Sequence, residues 1–548
     1  MAEFDFIIVG AGSSGCVLAD RLSADGRHRV LLLEAGGRDN QPVVAMPLAW
    51  MKAAMTPAIT WGYLGEPEPY AGNRQMPHLR GRILGGTSSI NGMMYSRGMP
   101  SDYDGWSAAG LKGWSYAEVL PYFKRSESCW RGPSLYHGDG GPLTVSRIPS
   151  DPATYPALMD TARALGFKVL DDFNGAEREG FGIPDFTIHK GRRGSTSKRF
   201  LAEAAKRSNL AVESHVLVRR ILIENGKAVG VEASRDGQTM QFRANREVIV
   251  SGGTFNSPQL LLLSGIGPAE ELRAQGIAPV VVLPGVGKNL QDHPMVMVVY
   301  EASGPFTFDA QLRLDRLAFT AMRWFLTGTG PGAAMPFAGQ GFVRSSSARP
   351  YPDIQFQVSN VSFMAQPWFP GWRRPVGYHL SAGALQLQPE SRGQVTLKSP
   401  DPGAPPAICF NLMKEEYDRR FACDLLRFCR KFFATDPAAR LIKAELAPGP
   451  AVQSDDELDA YVRANIATGA HPTSSCAMGT GEMAVVDADL KVRGLEGLRV
   501  VDASVMPRVV AGNTNAPAIM IAEKAADMIL GRTPLPAAEL PAADAATA

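Results

Sequence analysis

The amino-acid sequence predicts a mixed α/β (α+β) protein with two unlike sheets, one a parallel, Rossmann-like nucleotide-binding sheet and the other an antiparallel sheet flanked by helices. Three observations support this prediction. A strand, a glycine-rich turn and a helix follow one another near the N-terminus. Two later segments, YPDIQFQVSN and VGYHLSAGALQLQP, alternate apolar and polar residues as antiparallel strands do. A length of 548 residues exceeds what a single hydrophobic core usually serves.

The first predicted element is a strand that leads into a phosphate-binding turn. Residues 6–9 (FIIV) form a short apolar run, which is typical of a buried parallel strand. Gly10, Gly12 and Gly15 then form the pattern G-x-G-x-x-G. The first glycine of this pattern allows a tight turn, the second lets the backbone approach a pyrophosphate, and the third lets helix and strand pack closely.

The second predicted strand ends in an acid. Residues 30–33 (VLLL) are apolar, and Glu34 follows them. A carboxylate at this place can accept hydrogen bonds from ribose hydroxyls. If the glycine-rich turn bound no cofactor, the acid at Glu34 would have no explanation. Ala35 lies beside it, and Ser13 and Ser14 begin the helix whose free N–H groups would face the phosphates. A dinucleotide cofactor is therefore predicted, and the position at the N-terminus favours FAD over NAD.

A second glycine-rich segment, GRILGGTSSINGMMYSRG, covers residues 81–98. Its run of small and polar residues cannot form a self-sufficient strand or helix, yet it contains apolar residues for which a solvated loop has little use. Such a segment usually lies against something it must approach closely, such as a flat cofactor ring. The residues predicted to contact the cofactor here are Leu84, Gly85, Asn91, Gly92, Met93 and Met94.

A single histidine stands in HPTSSCAMG, residues 471–479. His471 by itself is compatible with a catalytic base, a metal ligand or a packed core residue. A metal site is disfavoured because, apart from Cys476, no second His or Cys lies at ligand spacing and no acid accompanies them. The local sequence leaves the choice between base and core residue open.

Composition and charge exclude several classes of protein. The net charge is +2 and no block of Lys and Arg is present, which argues against a nucleic-acid-binding protein. The six cysteines show no C-x-x-C spacing, so neither a disulfide framework nor a zinc site is predicted. The N-terminus lacks a secretory signal, and no apolar run approaches the roughly 20 residues of a spanning helix. We therefore expect a cytoplasmic protein without a transmembrane segment, with peripheral membrane contact left open.

Five segments carry a resemblance to a known family. They are GRILGGTSSINGMMYSRG (81–98), SGGTFNSPQLLLLSGIG (251–267), GVGKNLQDHP (285–294), QPESRGQVTL (388–397) and VVDASVMPRVVAGNTNAPAIMIAEKAAD (500–527). In this order they resemble the signatures of the glucose–methanol–choline (GMC) flavoprotein oxidoreductases. The segments WGYLGEPEP and GWSYAEVLPYF are most similar to the bacterial choline dehydrogenase and sorbose dehydrogenase branch.

The resemblance implies FAD-dependent oxidation of an alcohol, with a primary alcohol and its aldehyde as the expected pair. It implies that His471, in H-x-x-x-x-x-x-M, takes the hydroxyl proton as general base while a hydride passes to flavin N5. Asn513, fourteen positions before Asp527, would donate a hydrogen bond to the developing alkoxide. A slip of two residues would exchange Asn513 for Asn515. His293, in NLQDHP, is expected to be structural.

The resemblance also implies how the cofactor is held. The further FAD-binding residues expected from it are Val218, Gly252, Asp502, Ala503 and Thr514. Some family members attach FAD to a histidine in the glycine-rich segment, whereas this chain has Ser89, Ile90 and Asn91 there, so FAD is expected to be bound without a covalent bond. The electron acceptor (a quinone, a carrier or O2), the oligomeric state and the alcohol stay open, as do a choline- or sugar-specific dehydrogenase and an alcohol oxidase as alternatives.

The predicted domains are interleaved. The FAD-binding domain is expected in residues 1–300, with cap elements near 46–80 and 100–190 inserted in it, and the chain should return to it in residues 490–531. Residues 301–489 are expected to form the substrate-binding cap, and the Ala/Pro-rich residues 532–548 a disordered tail. The aromatic residues considered for the substrate entrance are Trp324, Phe337, Trp368 and Phe369.

Overall fold

The computed structural model of the chain describes residues 3–362 and 365–541. Two seven-stranded sheets organise it. Around them lie α-helices at Ser13–Ser23, Pro42–Ala45, Trp50–Ala54, Pro100–Ala108, Tyr116–Ser126, Tyr155–Ala164, Ala202–Ala204, Gly253–Leu263, Ala269–Ala274, Leu314–Thr327, Glu416–Ala434, Asp455–Asn465 and Asn515–Ile529. Short two- to five-residue strands make up the remaining small sheets.

The first sheet is mainly parallel. Its parallel strands, in spatial order, are Leu210–Glu213, Val30–Leu33, Glu3–Val9, Gln238–Val250 and Leu498–Val500. The antiparallel strands Lys227–Arg235 and Leu217–Glu224 extend it beside the N-terminal half of Gln238–Val250. Asn225 and Gly226 form the turn that joins these two strands, and both residues have positive φ.

Two helices from opposite ends of the chain pack against each other beside the first sheet. They are Ser13–Ser23 and Asn515–Ile529. The strand Val30–Leu33 is buried along its whole length, as its all-apolar sequence predicts for a central parallel strand. The N-terminal ends of both helices therefore lie close to the strand ends that carry the predicted cofactor-binding residues.

The second sheet is antiparallel, as the alternating segments predict. Its strands, in spatial order, are Ile442–Ala447, Pro294–Ala302, His379–Gln386, Ile354–Ser359, Phe337–Val343 and Gly180–Gly182, with Ala467–Thr468 also paired to Pro294–Ala302. The helix Glu416–Ala434 packs on this sheet through Phe421, Leu425 and Phe432. Because Pro294–Ala302 is a strand of this sheet, the predicted boundary at residue 300 divides a single strand.

The stretch near 100–190, predicted as cap, divides between the two cores. The helices Pro100–Ala108 and Tyr116–Ser126 bury an aromatic cluster in the core of the first sheet, where Tyr116–Ser126 contacts the helix Asn515–Ile529. The helix Tyr155–Ala164 instead packs in the core of the second sheet. Only the later part of the stretch is therefore associated with the predicted cap.

The C-terminal segment differs from the predicted disorder. Leu535 and Ala538 pack against the core of the first sheet, and the backbone N–H of Ala538 donates to the carbonyl oxygen of Ala117 at 2.8 Å. This corrects the prediction for residues 532–541, because apolar side chains within the Ala/Pro-rich sequence find a buried surface. Residues 542–548 lie outside the described residues. In the described chain, no helix combines the length and apolar character needed to cross a bilayer.

Candidate active site

A cavity of about 530 Å³ is lined by residues of both sheets. The predicted site residues that line it are Gly10, Gly12, Ser13, Ser14, Glu34, Ala35, Asn91, Gly92, Met93, Met94, Val218, Gly252, His471, Asp502, Ala503, Asn513 and Thr514. Gly15, Leu84 and Gly85 do not line it. The predicted residues thus converge on one cavity although they are spread over more than 500 positions of the sequence.

The turn after the first strand has the backbone that the glycine pattern predicts. Gly10 has a φ of +99°, and a side chain there would strike the carbonyl oxygen of Ser251. A Cβ at Gly15 would lie 1.9 Å from the carbonyl oxygen of Gly10, so Gly15 serves the close packing of helix on strand and not a cofactor contact. Gly12 borders the cavity, where a Cβ would meet no atom closer than 3.9 Å. The open side of this turn can therefore receive a phosphate group.

Two helices begin at the cavity. Ser13 starts one of them, and its hydroxyl donates to Oδ1 of Asn515, at the start of the other, at 2.7 Å. Neither helix has an acidic residue in its first turn. The partial positive charges of two helix N-termini consequently face the same space, which suits the pyrophosphate of a dinucleotide.

Glu34 is a buried carboxyl group next to this turn. Its Oε2 accepts the N–H of Ala11 at 2.9 Å, and its Oε1 accepts the N–H of Gly36 at 2.8 Å. Burial raises the pKa of Glu34 to about 7. Each carboxylate oxygen keeps a further lone pair, so the group can still accept hydrogen bonds from ribose hydroxyls.

The glycine-rich segment is anchored at one end and open to the cavity at the other. The backbone N–H of Gly85 donates to Ala11 at 2.7 Å and that of Leu84 to Gly37 at 2.9 Å, so these two residues fix the segment to the phosphate-binding turn. Neither residue lines the cavity, and their contact with the cofactor stays a prediction. The buried Arg193, which the sequence analysis missed, donates to the carbonyl oxygen of Asn91 at 2.6 Å and holds the cavity-facing part.

Asp502 fixes the backbone at another part of the cavity wall. Its Oδ2 accepts the N–H of Gly253 at 2.9 Å and the hydroxyl of Ser257 at 2.5 Å, both on the helix that follows Gly252. Its Oδ1 accepts the N–H of Ser504 at 2.8 Å. The carboxylate therefore joins the two chain segments that contribute Gly252 and Ala503.

His471 and Asn513 are in direct contact. Nδ2 of Asn513 lies 2.8 Å from Nε2 of His471. Oδ1 of Asn513 accepts from the side-chain amide of Gln355 at 3.3 Å, which turns the Asn513 amide nitrogen toward His471. Asn515 instead accepts from Ser13, so Asn513 and not Asn515 is the neighbour of His471.

The other nitrogen of His471 faces a second histidine. Nδ1 of His293 lies 3.0 Å from Nδ1 of His471. Asp292 accepts the backbone N–H of both histidines at 2.8 Å through Oδ1. Asp292 thus holds the backbone of both histidines, whereas the contact of His293 with His471 was not predicted, since 178 residues separate the two in the sequence.

The surroundings of His471 keep it neutral. Burial lowers the pKa of His471 well below its ordinary value, and the neighbouring His293 ring and the Arg80 guanidinium lower it further. Arg80 also lines the cavity and donates to the carbonyl oxygen of Ala470 at 2.7 Å. A neutral imidazole whose Nε2 accepts a hydrogen bond carries its proton on Nδ1 and has the lone pair of a general base on Nε2.

The cavity wall near the second sheet carries many apolar side chains beside the polar Gln357 and Ser359. Its side chains include Trp50, Trp61, Met295, Met335, Phe337 and Leu385. Of the aromatic residues considered for the entrance, only Phe337 lines the cavity; Trp324 is buried and donates to the carbonyl oxygen of Gly191 at 2.7 Å. Trp368 and Phe369 lie outside the lining.

Comparison with known sequences identifies the relatives of the chain. The GMC oxidoreductase family models match residues 4–295 and 389–522. The oxygen-dependent choline dehydrogenase of Brucella anthropi is 42% identical over 535 residues, which cover 97% of this chain and 96% of the relative. The oxygen-dependent choline dehydrogenase of Photobacterium profundum is 42% identical over 545 residues, covering 98% of this chain and 95% of the relative.

Solved structures share the fold over almost the whole length. Pyridoxine 4-oxidase from Mesorbium loti superposes with a TM-score of 0.86 at 30% identity, covering 96% of this chain and 99% of that one. Formate oxidase from Aspergillus oryzae gives a TM-score of 0.89 at 27% identity, with 97% and 98% coverage. The predicted mixed α/β fold and the FAD cofactor are thereby confirmed. By family models, sequence identity and fold, the chain belongs to the GMC oxidoreductases, the FAD-dependent enzymes that act on CH–OH donors.

Proposed function

We propose that this GMC oxidoreductase oxidises an uncharged primary alcohol to its aldehyde, with His471 as the general base and Asn513 as the hydrogen-bond donor to the alkoxide. The observation that carries the proposal is the 2.8 Å contact between Nε2 of His471 and Nδ2 of Asn513 at the wall of the cavity. A lone pair that can take a proton and an N–H that can stabilise the resulting negative charge are adjacent there.

His471 removes the hydroxyl proton of the alcohol at Nε2. The neutral state of the ring, favoured by burial and by the charge of Arg80, keeps this lone pair available. Once the proton is transferred, the new imidazolium of His471 donates through Nδ1 to Nδ1 of His293, which lies 3.0 Å away. The contact with His293 thus spreads the charge that arises during the reaction.

Asn513 holds the oxygen of the substrate. Its amide cannot take a proton, but its N–H groups can donate to an alkoxide. Gln355 fixes the amide through Oδ1, so the donor is oriented before the substrate arrives. Such an arrangement also fixes the direction of the C–H bond that is broken.

The residues around the cavity fit FAD. The phosphate-binding turn at Gly10–Gly15, the two helix N-termini and Glu34 would hold the dinucleotide, and Asn91 to Met94 would lie against the ring system. When bound, the flavin accepts the hydride from the substrate carbon. His471 is the only histidine among the described residues that line the cavity, and the glycine-rich segment has Ser89, Ile90 and Asn91 where some family members carry the histidine of covalent attachment. We therefore propose non-covalent binding.

The charges of the cavity favour an uncharged substrate. Glu34 and Asp502 are the acidic residues among the described lining, and both already accept backbone N–H groups at the nucleotide-binding side. Arg80 contributes positive charge on the side of His471, and apolar side chains such as Met295 and Leu385 form the wall. A trimethylammonium group would find no free carboxylate there.

Choline is the second candidate, and it is favoured by the 42% identity to oxygen-dependent choline dehydrogenases. The faces of Trp61, an aromatic residue that could contact a quaternary ammonium group, are already used, since Arg82 lies over the ring and Tyr63 stacks on it.

The physiological acceptor is proposed to be a quinone, a carrier protein or O2. The six free cysteines support a reducing compartment, and we propose the cytoplasm.

A panel of alcohols tests this proposal. The flavin absorbance of the purified enzyme is followed anaerobically after mixing with 1-hexanol, benzyl alcohol, glucose or choline. We expect the uncharged apolar alcohols to bleach the flavin fastest. A faster reaction with choline would overturn the substrate class while leaving alcohol oxidation intact, and no bleaching by any alcohol would overturn the reaction itself. Repeating the panel with O2 and with an artificial acceptor then separates an oxidase from a dehydrogenase.

A further inference from the structure

The helix Leu314–Thr327 lies on the protein surface and contacts the rest of the chain along one narrow edge. Only Thr320 and Trp324 of its fourteen residues are buried. Large apolar side chains on it face outward, with exposed fractions between 41% and 73%, namely Leu314, Phe319, Met322, Phe325 and Leu326. Contiguous apolar surface of this kind marks an interaction site in a water-soluble fold.

These five side chains, which we call the apolar patch, share one side of the helix. At about 100° per residue they fall within an arc of roughly 140°, in which Ala318 and the acidic Asp315 also lie, and the exposed Ala321 widens the arc to roughly 160°. Arg316 and Arg323 follow at the edge of this arc. A wide apolar face bordered by arginines is the pattern of a helix that lies in a membrane interface.

A neighbouring loop extends the patch. The backbone N–H of Leu314 donates to the carbonyl oxygen of Trp368 at 3.0 Å, so the loop that follows Trp368 is attached to the start of the helix. This loop exposes Trp372, with 60% of its surface accessible, beside Arg373 and Arg374. Tryptophan and arginine are both favoured where an apolar layer meets water.

The charge of the region is strongly positive. Residues 312–330 and 365–376 contain Arg313, Arg316, Arg323, Arg373 and Arg374. Asp315 is the only acid within these two ranges, and its carboxylate pairs with the guanidinium of Arg313 at 2.6 Å. A partner for this surface therefore has to supply both an apolar layer and negative charge.

We propose that the apolar patch and its arginines seat the enzyme on an anionic phospholipid surface. Acyl chains would receive the apolar side chains, and lipid phosphates would pair with the arginines. A symmetric dimer through the same patch would instead bring the arginines of one copy against those of the other. The charge complementarity thus favours lipid over a second copy. This proposal stands apart from the proposed reaction.

The patch is connected to the cavity by packing. Trp324, on the buried edge of the helix, packs against the short turn Pro331–Ala333, where a Cβ at Gly332 would lie 2.8 Å from the Cβ of Trp324. Two and four residues beyond that turn, Met335 and Phe337 line the cavity. A membrane-bound enzyme would therefore hold this wall of its cavity close to the lipid.

Vesicle flotation with the FAD-loaded enzyme tests the proposal. We expect the enzyme to float with vesicles of phosphatidylcholine and phosphatidylglycerol, and to float much less with phosphatidylcholine alone. The triple variant Phe319→Ser/Phe325→Ser/Leu326→Ser should reduce the partition coefficient at least about tenfold. Arg373→Glu/Arg374→Glu should reduce it by about fivefold or more per arginine, and added salt should have a similar effect on the parent enzyme.

A matched control uses apolar residues that are equally exposed elsewhere. Val280→Ser/Val282→Ser/Met483→Ser changes side chains that lie near the first sheet, with exposed fractions from 53% to 60%, and should float like the parent. All variants should keep their flavin and the parent rate of alcohol oxidation in solution, which shows that they fold. Equal flotation of the parent and the triple variant would overturn the proposal. So would a dimer, seen by analytical ultracentrifugation, that the triple variant dissociates.

Discussion

Nδ1 of His293 and Nδ1 of His471 lie 3.0 Å apart, with the two rings inclined at 73°. Only one of these nitrogens carries the proton of their hydrogen bond. Because Asn513 donates to Nε2 of His471, the proton of His471 is on Nδ1 and His293 accepts it. Burial lowers the pKa of His293 to about 4, which keeps this acceptor neutral. We therefore propose that His293 is a positioning residue, which fixes the tautomer of His471 that leaves the Nε2 lone pair free to act as the proposed base.

Replacing His293 should slow the chemistry without loss of the cofactor. His293→Leu removes the acceptor, and we expect flavin reduction to slow by about one to two orders of magnitude, since a buried hydrogen bond is worth about 1–3 kcal/mol when its partner is left alone. His293→Asn keeps an acceptor and should recover part of the rate. Anaerobic stopped-flow absorbance measures both. An unchanged rate in His293→Leu would show that the contact is only structural.

His471→Ala should retain FAD and lose most of the alcohol-driven flavin reduction. General-base catalysis contributes about 10²–10⁴-fold, so a loss of at least that order is expected in anaerobic single turnover. Asn513→Ala should slow the same step, because a few kcal/mol of transition-state stabilisation are lost. Asn513→His should keep part of the rate. His189→Ala changes a histidine outside the cavity lining and serves as the control. If His471→Ala reduced its flavin at the parent rate with several alcohols, His471 would be a core residue and not a catalytic base.

Replacing Gln355 should slow flavin reduction through its effect on the orientation of Asn513. Gln355→Met preserves the volume of the side chain but removes the donor that holds Oδ1 of Asn513, so the amide loses its fixed orientation. We expect about a tenfold lower rate of flavin reduction with unchanged flavin content, as for the loss of one hydrogen bond. Gln386→Met alters a buried glutamine of the neighbouring strand that instead contacts Asp418, and should reduce flavin at the parent rate.

Most of the residues that local patterns predict to bind the cofactor line one cavity. The strand, turn, helix and acid around Gly10 and Glu34 lie close together in the chain, so short-range spacing carries the signal. The exceptions were Leu84 and Gly85, whose backbone anchors the segment to the first turn. Whether a glycine-rich loop touches the cofactor or its own support depends on tertiary packing, which spacing does not report.

The substrate half was harder to predict because its contacts are long-range. In YPDIQFQVSN the alternation correctly predicts a strand, but it suggests that the polar side chains face water. Gln355 is in fact fully buried against Asn513, and Gln357 lines the cavity. His293 was expected to be structural, and its contact with His471 was not predicted, since nothing in the sequence indicates that the two segments are paired.

Acid or heat should release the flavin from the polypeptide. The glycine-rich segment has Ser89, Ile90 and Asn91 and no histidine, and His471 is the only histidine in the described lining. After precipitation with acid, we expect the yellow colour in the supernatant, with FAD identified by chromatography. Flavin that stays with the precipitated polypeptide after gel electrophoresis in denaturant would contradict non-covalent binding.

Glu34 should make FAD binding depend on pH. Burial raises the pKa of this carboxyl group from 4.5 to about 7 in the cofactor-free protein. A raised pKa means that the proton is bound below pH 7 and released above it, and only the released form offers a full charge-assisted acceptor to the ribose hydroxyls. FAD affinity should therefore reach a plateau above pH 7 and fall below it, by up to about tenfold per pH unit if only the charged form binds.

Titration of the flavin-free protein with FAD between pH 5 and pH 8, followed by flavin fluorescence, measures this dependence. Glu34→Gln keeps the shape of the side chain but cannot titrate, so its affinity should be lower at pH 8 and no longer change through pH 7. Glu34→Ala should weaken binding by about 1.5–3 kcal/mol, while protein refilled with FAD should still reduce its flavin at close to the parent rate. If Glu34→Gln showed the same fall in affinity below pH 7 as the parent, another group would be responsible, and Glu34 would not be the acceptor for the ribose.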